Sequence, residues 1–153
     1  MAKLKVGDKA PGFSGSDRNG KPVVLEDYKG KTIVLYFYPK DSTPGCTAES
    51  CNFRDNYATL TNKGFEVIGV SVDSEKSHDK FADKYNLPFT LIADTHKKMV
   101  EDYGVWTEKS MFGKAYMGIA RTTFIIDGNG MITHIIDKVD TKNSTQQVLD
   151  VIG

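Results

Sequence analysis

Cys46 and Cys51 are the two cysteines of a 153-residue chain, and they stand five positions apart. Two thiols are too few for a disulfide scaffold. In an intracellular setting so close a pair points to redox or metal chemistry. A zinc site needs about four ligands, and His78, His96 and His134 are scattered without helical pairing. Each of the three is expected on the surface or in a strand, so no metal site is expected. The spacing is also not the C-x-x-C of a dithiol reductase. The bland alternative is that both cysteines are small apolar residues of no chemical interest.

The neighbourhood of Cys46 argues for chemistry. Pro39-Lys40-Asp41-Ser42-Thr43-Pro44-Gly45-Cys46 joins an apolar run to a stretch, 47–60, without Gly or Pro. Pro44 and Gly45 interrupt regular structure, so the helix is expected to begin at about Cys46. A thiol there faces free backbone N–H groups and the positive end of the helix dipole, an environment that favours the nucleophilic thiolate. At 100° per residue Cys46 lies about 20° from Phe53, on the apolar stripe, and Cys51 about 160° from it, pointing away from the core. Residues five apart on an intact helix have Cα atoms about 8.6 Å apart, beyond the roughly 7 Å limit for a disulfide. Bonding Cys46 to Cys51 therefore requires the first turns to unwind.

The elements that must position these thiols are legible as short apolar runs between helical patterns. Strands are expected at Ile33–Phe37, Val67–Val72, Phe89–Ile92, Thr122–Ile126 and Met131–Ile136. The Asp127-Gly128-Asn129-Gly130 turn makes the last two a hairpin. Helices are expected over 47–60, over 74–85 with Ser74 as N-cap, over 97–103 ended by Gly104, and from a Ser144–Gln147 capping box to the end. Arg18-Asn19-Gly20 suggests an N-terminal β-hairpin. Strand–helix alternation closed by a hairpin gives an α/β chain with a central mixed β-sheet flanked by helices, as one domain over 1–153. The aromatic-flanked segment Trp106 to Tyr116 is assigned no element; it is a candidate pocket lining or docking face.

Composition narrows the function classes. The chain is 39% hydrophobic and 26% charged with 5 Pro, as for a folded globular protein. Basic and acidic residues number 20 each, so binding to nucleic acid or an anionic membrane lacks its electrostatic driver. No apolar run is long enough to span a bilayer, and the N-terminus carries no secretory pattern. A cytoplasmic location is expected, although a processed secreted form would look the same.

Pro39-x-x-x-Thr43-x-x-Cys46 resembles the active-site signature of the peroxiredoxins, cysteine peroxidases on a thioredoxin-like fold. The longer run Thr43–Asp55, with its second cysteine five positions on, is similar to their PrxQ or bacterioferritin comigratory protein branch. So are Val6–Phe13, Phe37–Asp41, Tyr103–Trp106 and Gly118–Asp127. Two departures are Thr107, where many relatives have glycine, and a short C-terminal end. The resemblance implies that Cys46 is the peroxidatic thiol and Cys51 the resolving thiol. It implies that Thr43 offers its hydroxyl to thiolate and peroxide, that Arg121 supplies the cation, and that Pro39 shields the pocket. Glu49 would orient Arg121 and Trp106 would pack beside the pocket. No flavin, haem or metal is implied. The partners implied are a peroxide substrate and thioredoxin or a similar dithiol as reductant, on a monomer or weak homodimer. The alternatives on the same fold are a thiol–disulfide oxidoreductase without peroxide specificity and a non-enzymatic redox sensor.

Overall fold

Ile33, Val34, Leu35, Tyr36 and Phe37 are all buried, and the strand they form, β1 (Thr32–Phe37), is the spine of the molecule. The structure, a computed structural model, describes residues 4–152. Flanking β1 are β2 (Phe65–Ser71), in parallel register, and β6 (Thr122–Ile126), antiparallel to it. The five-stranded mixed sheet is completed by β3 (Thr90–Ala93) beyond β2 and β7 (Ile132–Ile136) beyond β6.

Because side chains alternate across a strand, β1 feeds two cores. Ile33, Leu35 and Phe37 pack with Met99 and Val100 of α4 (Lys98–Asp102), Tyr103 and Phe124. Val34, Tyr36 and the following Tyr38 pack with Cys46 and Phe53 of α1 (Pro44–Asp55) and Leu60 of α2 (Tyr57–Asn62). Phe81 of α3 (Glu75–Tyr85) and Val148 of α5 (Ser144–Ile152) share that layer. Cys46 is thus a core residue of the four-helix face.

The strands and the α3 start follow the sequence reading, down to the Ser74 hydroxyl accepting from the Ser77 N–H at 3.1 Å. Other elements differ for identifiable reasons. The active-site helix begins at Pro44, two residues before the expected start, with Thr43 as N-cap; proline at the first helical position loses no hydrogen bond. The helix expected over 47–60 breaks at Asn56 (φ −113°, ψ 11°) into α1 and α2. The Ser144–Gln147 capping box does not form. Ser144 instead donates to the Glu49 carbonyl, which ties the start of α5 to α1, and Gln147 accepts from the Asp140 N–H of the preceding loop. The N-terminal hairpin is one bridge wide, Ser16↔Pro22, around Gly20 at φ +80°; Pro22 has no N–H with which to extend the ladder. Trp106 to Tyr116 lies in a two-stranded ribbon, β4 (Trp106–Met111) and β5 (Lys114–Ile119). Phe112 and Gly113 close it, both at positive φ, as a two-residue hairpin turn requires.

Gly69 of β2 illustrates how tightly the site's floor is packed. A Cβ there would meet Leu91 Cδ2 at 2.7 Å and Tyr36 Cζ at 2.8 Å, and the Tyr36 hydroxyl is hydrogen-bonded to Ser50 of α1 at 2.7 Å. Gly69→Ala should lower stability by about 1–3 kcal/mol, the usual cost of overpacking, read as a lower urea midpoint at unchanged m-value.

Candidate active site

Two crossings of the chain build the site. The loop after β1 carries Pro39 and Thr43 and delivers Cys46 into the first turn of α1. The antiparallel register sets Phe37 opposite Thr122, so Arg121, in the link between β5 and β6, arrives beside that loop. The Arg121 Nη2 then donates to the Cys46 sulfur at 3.3 Å, and Nη1 to the Glu49 Oε1 at 2.8 Å. Gly45 leaves room for this approach, since a Cβ there would lie 3.2 Å from Nη2.

Cys46 is fully buried and Cys51 half-buried, and both are free thiols on one intact helix. The Arg121 guanidinium sets a fixed positive charge and an N–H donor directly against the Cys46 sulfur. Cys51 is held differently: burial pushes its thiol up, Arg54 opposes this and Asp55 reinforces it. One sulfur therefore faces a cation, while burial favours the protonated form of the other. Pro39 is half-buried at the loop's start. The Thr43 hydroxyl donates to the Lys40 carbonyl at 2.8 Å. Its one proton is thereby committed to the loop backbone, and its oxygen lone pairs stay free to accept. Trp106 packs against the opposite core, with Lys97 Nζ 5.4 Å from its ring centroid. It is not in the Cys46 layer.

Glu49 departs most from ordinary behaviour. Its carboxyl is fully buried, and Oε2 is the one buried side-chain oxygen or nitrogen without a hydrogen-bond partner among the described residues. Burial raises its pKa to about 7 even though Arg121 pulls the other way. The folded state thus binds this proton more tightly than the unfolded chain. The resulting stabilisation is complete below about pH 4.5 and is lost as pH rises to about 7, a change on the order of 3 kcal/mol. Glu49→Gln should flatten that slope, measured by urea unfolding across this window.

Two groups escaped the sequence reading. Lys109 of β4 senses the site: burial first and Arg121 second lower its pKa, and Cys46 opposes them. His78, expected on the surface or in a strand, is buried in α3 with its Nδ1 2.7 Å from Asp41 Oδ2. Its place in the helical pattern of 74–85, beside Phe81 and Tyr85, was the available signal. Asp41, Asp73 and His78 bring one potential ligand atom each within 4.8 Å of one another. Asp41 Oδ2 is already bonded to His78 Nδ1 and Ser77, and Asp73 Oδ2 to Ser71 and the Asp41 N–H, so the group reads as a hydrogen-bonded network rather than a metal cradle.

Comparison with known proteins supplies the family. Residues 6–135 match the AhpC/TSA family. Peroxiredoxin Bcp of Bacillus subtilis is 46% identical over 97% of this chain and 95% of its own. Peroxiredoxin Bcp of Escherichia coli K12 is 45% identical over 98% and 96%. Among solved structures, the Xanthomonas campestris bacterioferritin comigratory protein, described as having alkyl peroxide reduction activity, superposes with a TM-score of 0.90. It is 34% identical, over 99% of this chain and 97% of that one. A fold with the thiol and its cation in place, and near-complete alignment to these relatives, lead to one conclusion: the chain belongs to the AhpC/TSA family, in its Bcp or PrxQ branch of thioredoxin-fold peroxiredoxins, antioxidant enzymes that reduce peroxides with a thiol.

Proposed function

We propose that Cys46 is the peroxidatic and Cys51 the resolving thiol of a single-domain peroxidase, acting on hydrogen peroxide and organic hydroperoxides. The observation that carries this reading is the Arg121 guanidinium, donating at once to the Cys46 sulfur and to buried Glu49. The Cys46 thiolate attacks the terminal peroxide oxygen; an S–O bond forms and the O–O bond breaks. The departing oxygen takes a proton and leaves as water or an alcohol, and Cys46 becomes a sulfenic acid. Arg121 stabilises charge developing on the breaking bond, Thr43 accepts from the peroxide O–H, and Pro39 keeps bulk water from the sulfur.

Cys51 then attacks the sulfenic sulfur, an S–S bond forms and water leaves. Both cysteines sit on the intact α1 helix and Cys46 is a core residue, so this step requires local unwinding that lifts Cys46 out. An external dithiol of the thioredoxin type returns the disulfide to two thiols. A reducing, cytoplasmic setting suits two free thiols, and a monomer or weak homodimer suffices, since both cysteines come from one helix.

The test is reduced protein mixed with one equivalent of hydrogen peroxide, followed by rapid-quench thiol titration and intact mass. The expected result is reaction far faster than free cysteine, with loss of both thiols and the mass of two hydrogens from each monomer. Oxidation no faster than free cysteine would sink the reading.

A further inference from the structure

Asp41 opens the loop that ends in Thr43 and Cys46, and it is held from three directions. Its Oδ1 accepts from the Tyr38 hydroxyl at 2.6 Å. Its Oδ2 accepts from Ser77 Oγ at 2.8 Å and from His78 Nδ1 at 2.7 Å. Its backbone N–H donates to Asp73 Oδ2 at 2.8 Å, and the same oxygen accepts from Ser71 Oγ at 2.7 Å. The other ring nitrogen of His78 lies 3.0 Å from the Ile92 carbonyl oxygen. A carbonyl only accepts, so Nε2 donates to Ile92, and Nδ1 is left to share a hydrogen bond with Asp41 Oδ2.

Buried pairs of this kind contribute little net stability, and their better-attested use is to select one arrangement. Here there is an arrangement to select. Ser42, directly after Asp41, holds φ at +63°, a left-handed conformation that serine adopts rarely. Such strain persists where the surroundings over-determine it. None of the side-chain and N–H bonds of Asp41 reaches α1; they end on Tyr38, Asp73, Ser77 and His78.

We propose that the Asp41–His78 pair is a positioning clamp for the peroxidatic loop. It holds Ser42 left-handed so that Thr43 and the first turn of α1 face the peroxide, and it stays fastened while that turn unwinds for disulfide formation. The inference rests on the peroxidase reading of Cys46, with Asp41 and His78 as positioning residues that do not touch substrate.

Glycine adopts the left-handed conformation without strain, which supplies a test that a purely structural role would fail. Asp41→Asn should slow the first oxidation step about 10–100-fold, as a small misplacement of reacting groups does, and should lower Tm. Ser42→Gly alone should keep the wild-type rate. Added to Asp41→Asn, it should restore the rate to within about three-fold while Tm stays low, because strain and burial are separable contributions. His78→Asn, which keeps a donor toward Asp41, should show the same pattern in weaker form and serves if Asp41→Asn does not fold.

An unchanged rate in Asp41→Asn, or failure of Ser42→Gly to restore it, would overturn the clamp. So would a failure of both Asp41→Asn and His78→Asn to fold, which would make the pair structural. Wild-type protein no faster than free cysteine would instead overturn the peroxidase reading and the clamp with it.

Discussion

Cys46→Ser protein is expected to lose peroxide reduction by roughly 10⁴–10⁶-fold, the scale on which removing an enzyme's nucleophile acts. A serine hydroxyl is not ionised at neutral pH and is a far weaker nucleophile than a thiolate. Cys51→Ser should behave differently. Its first step should run within about two-fold of wild type, since Cys51 faces neither Arg121 nor the peroxide and distant sites act independently. Turnover with a dithiol should then collapse, and the mass should rise by one oxygen and later by two as the unresolved sulfenic acid is overoxidised. Equal loss of the first step in both variants would reverse the assignment of roles, and rapid-quench kinetics with intact mass reads both quantities. The split follows from the two environments: one sulfur is fully buried against a cation, and the other is half-buried with its thiol pushed up.

Arg121→Gln carries the second large effect. The guanidinium donates to two acceptors at once, the Cys46 sulfur and the Glu49 carboxylate. Losing one preorganised donor at developing charge slows chemistry by about 10²–10³-fold, or some 3–4 kcal/mol. Arg121→Lys keeps the charge but not the planar fork, so it should recover only part of that loss. A separate stability effect is expected, because the substitution leaves a buried carboxylate without its partner, and that is a costly state. Glu49, already raised to about 7, should respond by keeping its proton to higher pH. The Arg121→Gln protein should therefore be close to wild-type stability in mild acid and increasingly less stable above neutrality. Adding Glu49→Gln should recover stability at high pH without recovering rate. If rate returned with stability, Arg121 would be a structural residue rather than a catalytic one.

The sequence-legible part of the site is local. Pro44-Gly45 placed a helix start next to Cys46, and the helical period put Cys46 inward beside Phe53; in the structure both are fully buried in one core. The apolar runs marked five strands because strands buried on both faces need uninterrupted apolar residues. Where reading failed, the competing interactions were tertiary. The capping box at Ser144 dissolved because α1 offered its hydroxyl a better partner in the Glu49 carbonyl. The ribbon of β4 and β5 hid because most of its residues are exposed, Met111, Tyr116 and Met117 among them, so no apolar alternation marks it. His78 looked like a surface residue because histidine is often half exposed, and only folding supplies the carboxylate and carbonyl that satisfy it.

The chain alone determined that a nucleophilic sulfur would sit at the head of a helix, that a second sulfur would follow beyond disulfide reach, and that an α/β sheet would carry both. Those statements depend on neighbours in sequence, where spacing and period dictate geometry. Tertiary structure decided which cation meets the sulfur, that Glu49 is buried with an unpaired oxygen, and that Asp41 is fastened to α3. Arg121 lies 75 residues from Cys46 and His78 lies 37 from Asp41. Such distances are closed by sheet register, with β6 laid antiparallel on β1, and no local pattern encodes which residues that register will bring together.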